Sequence, residues 1–151
     1  MSKFVIIDVE TRSEIDLRKV GAWRYATHPS TDVWCVCAAY AFDGAPVQLW
    51  VRGEPVPEAL IAAAADLDTL WVAHNANFER THILTPRYGW PEIPVECWRC
   101  TMAASLALAL PGALDKVAKV APTPSLTETW LPRAAHIAAS AGRLVMMVAN
   151  G

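Results

Sequence analysis

The chain has 151 residues, 54% of them hydrophobic and 19% charged, and a formal net charge of −2. A chain of that size buries one sizeable core and hardly two, so one domain is expected. The charge balance excludes a global basic field, and with it an architectural DNA-coating protein, but leaves room for a local phosphate-binding groove. The longest apolar runs fall far short of the roughly 18 residues a membrane span needs, and Lys3 and Asp8 interrupt any reading of the start as a signal peptide, so a soluble cytoplasmic protein is expected.

In chain order, "KFVIID" is β-branched and apolar on both alternating faces, which predicts a central strand over residues 4–9 covered on both sides. Residues 14–31 are mixed in polarity, contain Gly21 and Pro29, and predict a long loop or short helix. "DVWCVCAAYAF" and "VQLWVR" read as strands. The "DGAP" between them is a hairpin signal and predicts antiparallel pairing. "PEALIAAAADL" reads as a helix, with Pro early and Glu58 in its first turn, and "TLWVAH" as a further strand. Asn75 is a good N-cap for a helix through "ANFERTHILTPRYG", ended by Pro86 and Gly89. "VECWRCT" predicts a short strand, "MAASLALAL" a helix stopped by Pro111 and Gly112, and "ALDKVAKV" the start of another with Asp115 in its first turn. A meander followed by alternating strands and helices predicts an α/β fold, a mixed sheet with helices on its faces.

The cysteines sit as "CVC" (Cys35, Cys37) and "CWRC" (Cys97, Cys100), spacings that must be weighed as a zinc site. The first pair lies in a run of strand composition without a Gly or Pro to form a metal knuckle. Packing as small reduced hydrophobes is the better reading. Asp8 and Glu10 are the sharper signal. Side chains at i and i+2 of a strand share one face, roughly 6–7 Å apart, so the two carboxylates converge on one site. Two acids held together repel unless a cation neutralises them, and hard divalent ions take oxygen ligands; the bland alternative is that both emerge into solvent where the strand ends.

Farther on, "VAHNANFERTHI" delivers His74 and Asn75 to a helix start, with Glu79 one turn inside. "IDVET" and "HNANFE" together resemble the first and second motifs of the DEDD-type 3′–5′ exonucleases of ribonuclease H-like fold, with Glu79 where Asp is common. "DVETRSEIDLRKVGAWRYATHPSTDV" and "ECWRCTMAASLALALPGALDKVAKV" look like the exonuclease portion of phage-type family A DNA polymerases. The resemblance implies an exonuclease-like domain over residues 1–120, of bacterial or phage origin, followed by an atypical tail over 121–151. It implies a proofreading-type phosphodiesterase in which Asp8, Glu10 and Glu79 hold two Mg²⁺ or Mn²⁺ ions. One ion activates water, and the other stabilises the leaving 3′ oxygen. Asp8 bridges the two, and Glu79 acts mainly through the second ion's water shell. Thr11, His74, Asn75 and Phe78 fall at the terminal nucleotide, although Thr11 at a strand end and Phe78 in a core need no function. The implied partners are single-stranded DNA or a 3′ end of DNA, and a polymerase or separate polypeptide that completes the site; no membrane is implied.

The chain departs from that family at the third motif, a Tyr or His followed four or five residues later by Asp. The last Asp is Asp115, the last acid is Glu128, and His136 has no acid after it. The tail is rich first in Pro and then in Ala, and a frameshift or early stop replacing the native continuation is one reading of it. Turnover is expected to be impaired. A noncatalytic nucleic-acid-binding or partner module and an inactive polymerase remnant remain alternatives. Arg12, Arg18, Lys19, Arg24, Arg80 and Arg87 are candidates for the DNA backbone path, and Trp23 and Tyr25 for base stacking, each more simply read as surface charge or packing.

Overall fold

The computed structural model describes residues 3–40, 46–80 and 88–120. The turn residues Asp43 and Gly44, the helix stop at Pro86, Arg87 and the whole 121–151 tail lie outside them.

Five strands form one mixed sheet in the order β3-β2-β1-β4-β5. Its centre is β1 (Lys3–Arg12), as "KFVIID" predicts. β1 pairs antiparallel with β2 (Asp32–Tyr40), and β2 antiparallel with β3 (Gln48–Val51), so the meander read from the sequence is present. On the other side β1 pairs parallel with β4 (Thr69–Ala73), and β4 parallel with β5 (Trp98–Cys100). Between them run α1 (Leu17–Thr27), α2 (Glu58–Ala65), the short α3 (Ala76–Phe78), α4 (Thr101–Ala107) and α5 (Leu114–Val120). This is an α/β fold of the class expected, and its strand order is consistent with a ribonuclease H-like sheet.

Alternation along β1 divides the molecule. Val5, Ile7 and Val9 point into the main core with Val33 and Val36 of β2, Trp50 of β3 and Trp71 of β4. Leu60, Ala63 and Ala64 share one face of α2 and close over that layer. Trp50 meets Tyr88 and Trp90 edge to face at 5.9 and 5.8 Å, an arrangement that adds to the burial of apolar area. The opposite face carries Asp8 and Glu10 on β1, opposite Cys37 and Cys35 of β2. Cys35, Cys37 and Ala39 form a separate small buried cluster there, against Val51. All four cysteines are free thiols.

Two expectations need correction, at the end of β1 and at Asn75. β1 does not stop at residue 9 but runs to Arg12, because β2 keeps pairing with it through Arg12–Asp32. Of the loop or short helix expected over 14–31, residues 17–27 are the helix. Asp16 caps the first turn by accepting from the Arg18 amide at 2.9 Å, and Gly21 kinks the helix at φ 78°, which only Gly adopts without cost. Asn75 stands before α3 but makes no side-chain cap bond. It sits in the left-handed region at φ 76°, ψ 44°, whereas a capping side chain reaches the helix amides from extended backbone.

Candidate active site

The β1–β4 ladder ends at Ile6–Val72, while β1 continues along β2 for six more residues to Arg12. Asp8 and Glu10 therefore stand past the end of the parallel ladder, beside the point where β4 turns through His74 and Asn75 into α3. In open α/β sheets the carboxyl ends of parallel strands are where ligands bind.

Asp8 is the electrostatic centre of this region. Burial pushes its carboxyl above the usual range, a shift that the Val9 amide and the nearby His74 partly oppose. Glu10 is raised by burial and then by Asp8. Glu79 is 4% exposed, and burial above all pushes it up to about 8, with a smaller push from Asp8. Its Oε2 is buried with no hydrogen-bond partner. A buried carboxylate without a cation or donor is costly in its charged form, so Glu79 is held as the neutral acid near neutral pH. On the neighbouring strand the Cys37 thiol is also pushed up, by its hydrogen bond with Cys35 first and then by burial and the two carboxylates.

The remaining residues singled out from the sequence fall into two groups. His74 ties three segments together: Nδ1 meets the Thr101 hydroxyl at 2.9 Å at the start of α4, and Nε2 lies 2.7 Å from the Gly112 carbonyl. Since a carbonyl only accepts, Nε2 carries a proton there. Phe78 is buried in the main core, its ring 6.1 Å from that of Tyr25. Tyr25 in turn places its hydroxyl 3.0 Å from Thr11 Oγ1, which fixes that side chain one residue past Glu10. Tyr25 is thus a buried strut rather than an exposed stacking ring, whereas Trp23 is exposed.

Sequence reasoning missed a second feature of the same strand. Between Glu10 and Thr11 the register with β2 shifts, so that Glu10 pairs with Cys35, Thr11 with Val33, and Trp34 is the extra residue. The bulge brings Asp32 opposite Arg12 and sets the Arg12 guanidinium over the Trp34 ring at 5.5 Å. Bulges re-aim side chains in this way and occur often next to active sites. Nothing in the sequence of one strand announces an extra residue in its partner.

The donors here are carboxylate oxygens, the orphaned Oε2 of Glu79 needs a cation to charge, and Mg²⁺ keeps several waters and binds through one or two carboxylates rather than a closed protein cage. Against a closed cage, no three His, Cys, Asp or Glu side chains among the described residues converge tightly enough to share an ion. Carboxylate oxygen is the donor type that hard divalent ions take.

No protein-family model matches the chain, and no solved structure matches it. No helix among the described residues is long and apolar enough to cross a membrane. Over 119 residues the chain is 38% identical to the DNA polymerase of Bacillus phage SP02, a match that spans 78% of this chain and 18% of that protein. The chain is therefore related to one segment, under a fifth of the length, of a phage DNA polymerase.

Proposed function

We propose that this chain is a metal-dependent 3′–5′ exonuclease domain of the proofreading type, acting on the 3′ end of single-stranded DNA. The observation that carries the reading is the buried Glu79 carboxyl, its Oε2 without a hydrogen-bond partner, within the field of Asp8 at the carboxyl end of the parallel strands. A carboxyl placed where its charge is penalised is a common signature of a functional site, and a cation is the partner that would relieve it. Asp8, Glu10 and Glu79 would hold Mg²⁺ or Mn²⁺. The bound ions would supply an activated water and charge stabilisation at the departing 3′ oxygen. Thr11 follows Glu10 along β1, its hydroxyl held by Tyr25, and would offer its backbone amide to the terminal nucleotide. The similarity to a phage DNA polymerase supports this reading, since a polymerase produces the 3′ ends such a domain would trim.

A second reading, binding of a 3′ end without turnover, draws support from the lack of a three-ligand cluster among the described residues. It also draws on Asp115 being the last Asp of these 151 residues, which leaves the third motif unfilled here. Release of 3′ nucleotides from labelled single-stranded DNA with Mn²⁺ decides between them. The exonuclease reading expects slow hydrolysis by the 151 residues, abolished in Asp8→Ala and increased when a polypeptide carrying a third motif is supplied. Hydrolysis unchanged in Asp8→Ala would overturn it, and binding with no hydrolysis under any of these conditions would establish the second reading.

A further inference from the structure

Past the carboxylates, β1 ends in a groove that the proposed chemistry does not use. Its volume is about 530 Å³, and Arg12, Glu14, Ser30, Asp32 and Arg52 are among the residues that line it. Asp32, buried at 7% exposure, anchors it: Oδ1 accepts from the Tyr88 hydroxyl at 3.1 Å, and Oδ2 faces Arg52 at 2.5 Å and Arg12 at 3.6 Å. One carboxylate thus orients two guanidinium groups. It offsets the charge of one of them, and both side chains stay more than half exposed, at 58% and 54%. The only other acid of the lining is Glu14, on the exposed rim. The Arg12 guanidinium also lies over the Trp34 ring, 5.5 Å from its centroid.

The position of the groove gives it meaning. Strand alternation puts Asp8, Glu10 and Arg12 on one face, and the rise of roughly 3.3 Å per residue sets Arg12 about 7 Å beyond Glu10. Guanidinium groups present planar forks that match phosphate oxygens, and a buried anchor lowers the entropy lost on binding. The groove offers charge and hydroxyls and no built-in base-reading pattern, which is how proteins position a nucleic-acid backbone.

We propose that the Arg12–Arg52 groove binds a phosphodiester of the DNA strand next to the one held at Asp8 and Glu10, making it a sequence-independent grip on the single strand. This rests on the exonuclease reading of the neighbouring site. The test is fluorescence anisotropy of a labelled oligothymidylate in EDTA, which silences metal-dependent hydrolysis, measured over a salt series. Arg12→Gln and Arg52→Gln are each expected to weaken binding several-fold and to flatten the dependence of log K on log salt by about 0.7, the value for one lost phosphate contact on a single strand. Lys3→Gln, an exposed cation at the opposite end of β1 from the groove, is expected to change neither.

Since Arg52 is paired to a buried acid, a variant that misfolds is replaced by a measurement on the wild type. Phenylglyoxal modification, read by mass spectrometry, should be blocked by the oligonucleotide at Arg12 and Arg52 and not at the exposed Arg99 of β5. A wild-type chain that does not bind the oligonucleotide would overturn the exonuclease reading together with the groove. Binding with an unchanged salt slope in both arginine variants, or with no protection at Arg12 and Arg52, would overturn the groove alone.

Discussion

The two faces of β1 are built from one stretch of ten residues and do opposite things. On one face Val5, Ile7 and Val9 join Trp50, Leu60 and Trp71 in a dry core of apolar side chains. On the other, Asp8 and Glu10 stand over buried thiols, with Arg12 and its paired acid at the end of the row. The first face gains free energy by burial, at roughly 25 cal/mol per Å² of apolar area. The second costs free energy, because partly buried carboxylates without counter-charges are disfavoured. A single strand thus carries both the fold's stability and a site that the stability of the other face sustains. Function of this kind sits where local rules are broken and compensated elsewhere.

This contrast makes the effects of substitutions separable. The largest expected effect is on the charged face: Asp8→Ala should abolish metal-dependent release of 3′ nucleotides, since it removes a ligand of the ions that would generate the nucleophile. Its thermal stability should stay level or rise, since the variant removes a buried charge. A fall in melting temperature as large as that of a core variant would erase the distinction between the faces. The converse comes next. Leu60 is 0% exposed, and Leu60→Ala should cost about 2–5 kcal/mol in denaturant unfolding while leaving the Mn²⁺ affinity of the folded fraction unchanged.

A smaller effect separates the faces by pH. Glu79 is raised from 4.5 to about 8, so the folded chain binds its proton more tightly than the unfolded chain does. The stability this contributes is fully present below pH 4.5 and erodes as pH rises toward and through about 8. Melting temperature should therefore fall across that window, Glu79→Gln should flatten the fall, and Mn²⁺ should restore stability more at pH 8 than at pH 5 by giving the ionised carboxylate a partner. An unaltered pH profile in Glu79→Gln would mean that Glu79 ionises without penalty. The smallest effect concerns the strut: Tyr25→Phe removes the hydroxyl that holds Thr11 and should cost about 0.5–1.5 kcal/mol, as read by chemical denaturation.

Much of the charged face was legible in the sequence, because strand parity is a local rule. The run "FVIIDVE" identifies β1 as central and puts Asp8 and Glu10 on one side, without any knowledge of its neighbours. The antiparallel meander was legible from another local signal, the Asp-Gly turn between its strands. What was not legible depends on residues distant in sequence. β1 reaches Arg12 only because β2 follows it there, and the extra residue at Trp34 is a property of the pair. Tyr25 supports Thr11 across fourteen positions, and Arg52 meets Asp32 across twenty, neither of which any periodicity encodes. Helix α1 was legible only as one of two alternatives, because Gly21 interrupts its pattern at the kink. Glu79 could be placed near the sheet edge from its strand-to-helix context. That one of its oxygens would be buried without a partner is a fact of packing alone.

The central claim is that the carboxylates of this face take a divalent cation. Calorimetric titration of Mn²⁺ into the wild type and Asp8→Asn at pH 8 tests it most directly. The account predicts binding in the wild type that is lost in Asp8→Asn, with Glu79→Gln weakened in between. Binding that is the same in all three proteins, or no binding in the wild type, would contradict it.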